Sequence, residues 1–176
     1  GEVMSVGRTL EESLLKAIRS LEIGTSHLYM SKFDSEKMSI DELMDYISEG
    51  TDDRIYAIAE LMWLGVDHSR ICNVTQIDML FLDKIKNIVD FEKELKSAPF
   101  DPYVLKRAKK MGFCDAYIAH LWNVDEEQVY SLRKENKIFP VYKMIDTCAS
   151  EFESYIPYFY SSYTGTYDSR LTDRKK

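Results

Sequence analysis

Side chains capable of chemistry are plentiful in this chain, but their spacing rarely suits a reaction. Carboxylates cluster at Asp52-Asp53 and at Asp125-Glu126-Glu127, and paired carboxylates can exchange protons with a substrate. Each cluster, however, stands where a helical pattern begins. There a side-chain oxygen satisfies orphan backbone N–H groups and complements the helix dipole, so capping is the expected role. His27, His68 and His120 have no spacing partner for a metal site, and no C-x-x-C occurs. Cys72, Cys114 and Cys148 are an odd number scattered through apolar surroundings, which suits reduced core thiols in a cytosolic protein. Cys148 has no histidine near it in sequence to activate it as a nucleophile. Glycine spacing excludes the common phosphate cradles. No two of Gly1, Gly7, Gly24, Gly50, Gly65, Gly112 and Gly165 are closer than six positions, whereas a P-loop needs them about five apart and a dinucleotide fingerprint about two and three. No catalytic, cofactor-binding or metal-binding residue is therefore expected in this chain.

The elements that carry these residues read as helices. Thr9 with Glu12 forms a capping box ahead of Leu10, Leu14, Ile18 and Leu21. Ser39 with Glu42 repeats it before Leu43, Met44 and Ile47. Thr51 or Asp52 opens a helix from Ile55 to Leu64, stopped by Gly65 as a left-handed cap. Asp67 starts a short helix through Cys72. Thr75 and Asp78 open the longest one, apolar at Ile77, Leu80, Phe81, Ile85, Ile88, Val89 and Leu95. Asp101-Pro102 is an N-cap followed by proline at the first helical position, and Gly112 ends that helix. Asp115 begins another through Trp122, and Asp125 a last one through Lys137. No period-two strand pattern of any length appears. The expected fold is all-α, an irregular bundle of about eight short helices with extended N- and C-terminal flanks.

Bulk properties agree. A chain of 176 residues suits one domain that buries roughly 70% of its unfolded surface. Hydrophobic content of 45% with 30% charged residues is ordinary for a soluble protein. No run approaches the ~18 apolar residues of a membrane helix, and no signal-peptide pattern is present. A net charge of −7 opposes the phosphate attraction that dominates nucleic-acid binding. One stretch competes with that conclusion: residues 112–133 have the cadence of a helix-turn-helix, with a turn at Asn123-Val124. Asp125, Glu126 and Glu127 occupy the helix start that should approach phosphates, so two packed core helices are expected instead.

The two ends of the chain differ from its body. The opening run EVMSVGRT-x-EES-x-x-KA-x-RSLE spans Glu2 to Glu22, and the closing run PVYK-x-x-DTCA-x-EF spans Pro140 to Phe152. Both closely resemble the borders of the central helical segment in the large subunit of carbamoyl-phosphate synthetases. Between them, Asp53-Arg54-Ile55 with Ile58-Ala59, Thr75-x-Ile77-Asp78-x-x-Phe81-Leu82 and Gly112-Phe113-x-Asp115 are similar to that family's internal patterns. Leu80 departs from them where tryptophan is expected, and residues 23–50 carry no matching pattern.

The resemblance implies an oligomerisation domain between two ATP-grasp halves. Residues 1–8 would be the tail of the preceding half, 9–145 the helical domain, and 146–176 an extended connector to the second half. It implies a structural, non-catalytic segment of a cytoplasmic, glutamine-hydrolysing enzyme that makes carbamoyl phosphate for arginine or pyrimidine synthesis. The whole enzyme would use ATP with magnesium (or manganese, and potassium). Its partners would be the rest of the large subunit, the glutaminase small subunit and further copies of itself, with no nucleic acid and no membrane. Glu2, Met4 and Arg8 are candidates for bordering an intermediate's passage or an interdomain contact. Tyr158, Phe159, Tyr160 and Tyr163 are candidates for an aromatic surface covered by other domains, because tyrosine suits places with one apolar and one wet side. The competing function classes are an independent all-helical binding module and a helix-turn-helix regulator.

Overall fold

A computed structural model of the chain describes residues 2–145 and 158–167. Among them are eight α-helices: α1 (Leu10–Ser20), α2 (Ile40–Ser48), α3 (Arg54–Trp63), α4 (His68–Thr75), α5 (Met79–Ser97), α6 (Pro102–Met111), α7 (Asp115–Trp122) and α8 (Glu126–Glu135). A single 3-10 turn, Ser31–Phe33, interrupts the long α1–α2 connection.

Capping side chains set most of these starts. Thr9 accepts the Glu12 N–H, but the Glu12 carboxylate reaches back one residue further than expected, to the N–H of Arg8 at 2.7 Å. Ser39 and Glu42 form the full reciprocal box at α2. Asp67, Asp78 and Asp101 accept first-turn N–H groups of α4, α5 and α6. At α3 the expectation fails. Asp53 is the N-cap residue yet makes no cap bond; its carboxylate instead accepts from Lys32 and from the Tyr46 hydroxyl. Tertiary contacts have displaced a local cap bond, and they tie the α1–α2 connection and α2 to the start of α3.

Helix α5 is the axis of the bundle and packs on α1, α3, α4, α6 and α7. Its buried stripe is Leu82, Ile85, Ile88, Val89, Phe91 and Leu95, spaced by three and four residues as a helix face must be. Burying each such side chain contributes about 1.5–3 kcal/mol. The stripe begins at Leu82, whereas Leu80 and Phe81 are 58% and 49% exposed. Both were expected inside; at 100° per residue Leu80 projects away from Ile85, whereas Phe81 shares the face of Ile85 and Ile88 but stands in the first turn of α5, where it stays exposed. The unmatched residues 23–50 also build core, since Leu28, Phe33, Leu43 and Ile47 are buried.

Helices α7 and α8 pack together with Ile118, Ala119 and Val129 inside and Asn123 in the left-handed turn. Gly112, the α6 cap, has φ +104°, and a Cβ there would lie 3.1 Å from the Glu12 Cα and 3.3 Å from its carbonyl oxygen. Gly112→Ala is therefore expected to cost about 1–3 kcal/mol, read as a lowered urea midpoint with an unchanged slope.

The sequence suggested no strands, but among the described residues two occur. β1 (Val141–Ile145) and β2 (Tyr158–Ser162) pair antiparallel, Val141 opposite Ser162 and Ile145 opposite Tyr158. Alternating burial along β1 is the period-two signal, too short in a Lys- and Tyr-containing run to stand out. The ribbon leaves the fold predominantly helical. The expected connector, 146–176, falls largely outside the described residues, as does Cys148.

Candidate interdomain surface

The two flanks meet on α1. Residues 5–7 lie flush against it: Ser5 Oγ donates to the Ser13 carbonyl at 2.7 Å, and a Cβ on Gly7 would lie only 2.9 Å from the Ser13 nitrogen. Lys16 organises the junction. Its ammonium donates to the Val6 carbonyl at 2.9 Å, donates to the Ser161 carbonyl of β2, and pairs with Glu12 at 3.0 Å. Glu12 itself is almost completely buried and also faces the Ser162 hydroxyl at 3.5 Å. An i,i+4 pair of opposite charge thus clamps both flanks to one helix. The spacing was visible in the sequence; that its partners would be backbone carbonyls from both ends was not.

This clamp brings candidates from the two flanks together. Met4 lies with Tyr158, Phe159 and Tyr160 around a depression of about 480 Å³. Met4 is 87% exposed, Tyr158 55% and Phe159 45%, while Tyr160 is half-buried under the Lys16 ammonium. Met144, opposite Phe159 in the ribbon, is exposed as well. Glu2 and Arg8 are exposed beside this region rather than in the depression, and the Arg8 backbone N–H is held by Glu12.

Tyr163 sits elsewhere. It is half-buried, its hydroxyl accepts from Arg133 at 3.2 Å, and its ring lies under the Lys109 ammonium. Burial pushes its phenol above the ordinary value, although the Arg133 charge acts the other way. Beneath it, Asp115 bridges Lys109 at 2.7 Å and Arg133 at 2.6 Å. Burial lowers the Lys109 ammonium from its ordinary value against the attraction of Asp115.

The chemistry-bearing types take structural places. His27 is buried against Glu92, His68 meets Asp83 at 3.4 Å, and His120 is exposed. Cys72 and Cys114 are free and half-buried. Among the described residues no group of three or more His, Cys, Asp or Glu side chains could hold a metal ion, and no helix is long and apolar enough to cross a membrane. Glu126 and Glu127 lie exposed in the first turn of α8, where Gln128 accepts the Asp125 N–H at 3.1 Å.

Fold and surface together define a helical domain that presents an apolar-aromatic junction of its two flanks to the outside. Residues 2–137 match the model of the carbamoyl-phosphate synthetase large chain, oligomerisation domain. The chain belongs to that family, and so to one part of a ligase. The match includes residues 23–50 and ends before the β-ribbon.

Proposed function

We propose that this domain joins and spaces the two ATP-grasp halves of a glutamine-hydrolysing carbamoyl-phosphate synthetase large chain, and contributes to self-association, without a catalytic step of its own. The observation that carries this is the family match over the whole helical body. Further support comes from the flank junction: Met4 and Tyr158–Tyr160 surround one depression, as residues would that face neighbouring parts of the same polypeptide. In this reading Glu2, Met4 and Arg8 border the passage or contact between halves, while Tyr158, Phe159 and Tyr160 contribute the aromatic side of that junction and Tyr163, held by Arg133, braces the domain beside it. ATP and magnesium act in the flanking halves, and ammonia comes from the glutaminase subunit in the cytoplasm. A rigid helical insert meets the mechanical need, because an unstable intermediate must cross a fixed distance between two sites.

Sedimentation velocity on the 176-residue chain, over a wide concentration range with and without MgATP, tests the proposal. A concentration-dependent dimer or larger species that MgATP does not alter is the expected result. A strict monomer removes self-association from the role, and a nucleotide-driven change contradicts the absence of catalysis.

A further inference from the structure

Arg19, in the last turn of α1, has a place that none of the roles above uses. It is half-buried, and among the described residues its guanidinium makes one hydrogen bond, to the Gly112 carbonyl at 2.6 Å. No carboxylate is within ion-pair distance of it among the described residues. Its neighbours are already committed. Lys16 is taken by Glu12 and two carbonyls, and Lys109 and Arg133 share the single carboxylate of Asp115.

Arg19 lies on the wall common to two depressions, of about 210 and 480 Å³. The smaller is lined by four cations, Lys16, Arg19, Lys109 and Arg133, against three carboxylates, Glu12, Asp115 and Glu126. Glu126 is the exposed one and pairs with none of them. Among the described residues the larger depression has Lys16 and Arg19 and no carboxylate, with apolar walls from Met4, Val6, Ile145 and Tyr158.

A guanidinium in this position offers several N–H donors in a rigid plane, a geometry that matches two oxygens of a carboxylate or phosphate. The surrounding excess of positive charge favours an anion, and partial burial weakens competition from water. We infer that the cleft around Arg19 is an oxyanion-binding site, with Arg19 as its bidentate anchor. Two sources share that chemistry. One is a free phosphate; the other is a carboxylate carried on an apolar group, as on an acidic side chain of a docked segment, whose apolar part would lie along Met4 and Ile145.

The test is a titration of the 176-residue chain with inorganic phosphate and, separately, with phenylacetate, at ionic strength held constant with chloride. The Arg19 side-chain Nε–H and the Gly112 and Phe113 backbone amides are followed by NMR. A saturable shift at these groups is expected. Arg19→Gln, read at the Gly112 and Phe113 amides, should weaken binding about tenfold or more. Glu126→Gln leaves Arg19 and its bond to Gly112 in place and should tighten binding about two- to threefold, because it removes a competing charge from the rim. Saturation by phosphate assigns a free oxyanion; saturation by phenylacetate alone assigns a carboxylate next to an apolar group. Absence of saturation with both probes overturns the inference, as does an unchanged affinity in either variant.

Discussion

Replacing Asp115 with alanine is expected to destabilise the domain by about 3–5 kcal/mol. That is a large part of the stability of an ordinary domain of this size. Asp115 is 9% exposed and stands between two buried cations, Lys109 and Arg133, which are 6% and 8% exposed. Its Oδ1 receives the Lys109 ammonium and its Oδ2 the Arg133 Nε–H. The remaining donors are used as well: Lys109 reaches the Phe113 carbonyl at 2.7 Å, and Arg133 the Ile138 carbonyl at 3.1 Å. Removing the carboxylate leaves two like charges in a poorly solvated place with no counter-charge. Those charges also hold the turn after α6 and the end of α8, so the cost is spread over both. Urea unfolding of Asp115→Ala against the parent chain checks the magnitude. Asp115→Leu combined with Lys109→Met and Arg133→Met should recover most of the loss, since an apolar replacement leaves no charge unpaired. If the triple variant were as unstable as the single one, lost packing rather than stranded charge would be the cause.

The second large effect is centred on Glu92 of α5. Glu92→Ala is expected to cost about 2–4 kcal/mol, because it strands two buried donors at once. Glu92 accepts the Tyr117 hydroxyl at 2.5 Å through Oε1 and the His27 imidazole at 3.1 Å through Oε2. His27 also stacks on Tyr117, ring centroids 3.9 Å apart. Burial raises the Tyr117 phenol well above its ordinary value, and the Glu92 charge adds to this, so the hydroxyl stays protonated as a donor. Burial lowers the His27 imidazole below its ordinary value, with the Arg19 charge acting in the same direction and Glu92 opposing both.

The pH dependence follows from that sign. A base whose pKa is lower folded than unfolded binds more protons when unfolded. The stability of neutral His27 is complete above the ordinary histidine value of about 6.5 and is lost as pH falls below it toward the lower folded value. Melting temperatures measured from pH 8 to pH 5 should therefore fall more steeply for the parent chain than for His27→Gln. Parallel curves would show that His27 does not titrate differently on folding.

The sequence made much of the helical framework legible, for local reasons. Asp67, Asp78, Asp101 and Gly112 act within a few residues of themselves, so their capping roles can be read before any tertiary contact is known. The failures were tertiary. Asp53 resembles the other caps in sequence, but Lys32 and Tyr46 reach it from other elements. Leu80 and Phe81 are as apolar as Leu82, and only the placement of α5 among five neighbouring helices determines which of them faces inward. The ribbon escaped notice because two five-residue strands are stable only when laid on a helix, here through Lys16.

The same division holds for the candidate site. By its motifs the sequence determined the family, the helical class and the identity of the flanks as something apart from the body. It also determined the lack of glycine-rich phosphate loops, because such loops depend on spacing alone. Only the tertiary structure decided that Met4 and Tyr158–Tyr160 share a depression, that Tyr163 leaves that group for Arg133, and that Arg19 has no carboxylate to itself among the described residues. The physical reason is range. Caps and helical stripes are set by neighbours three or four residues away, whereas the remaining bonds of a charged group reach backbone more than a hundred residues distant, as from Lys16 to the Ser161 carbonyl.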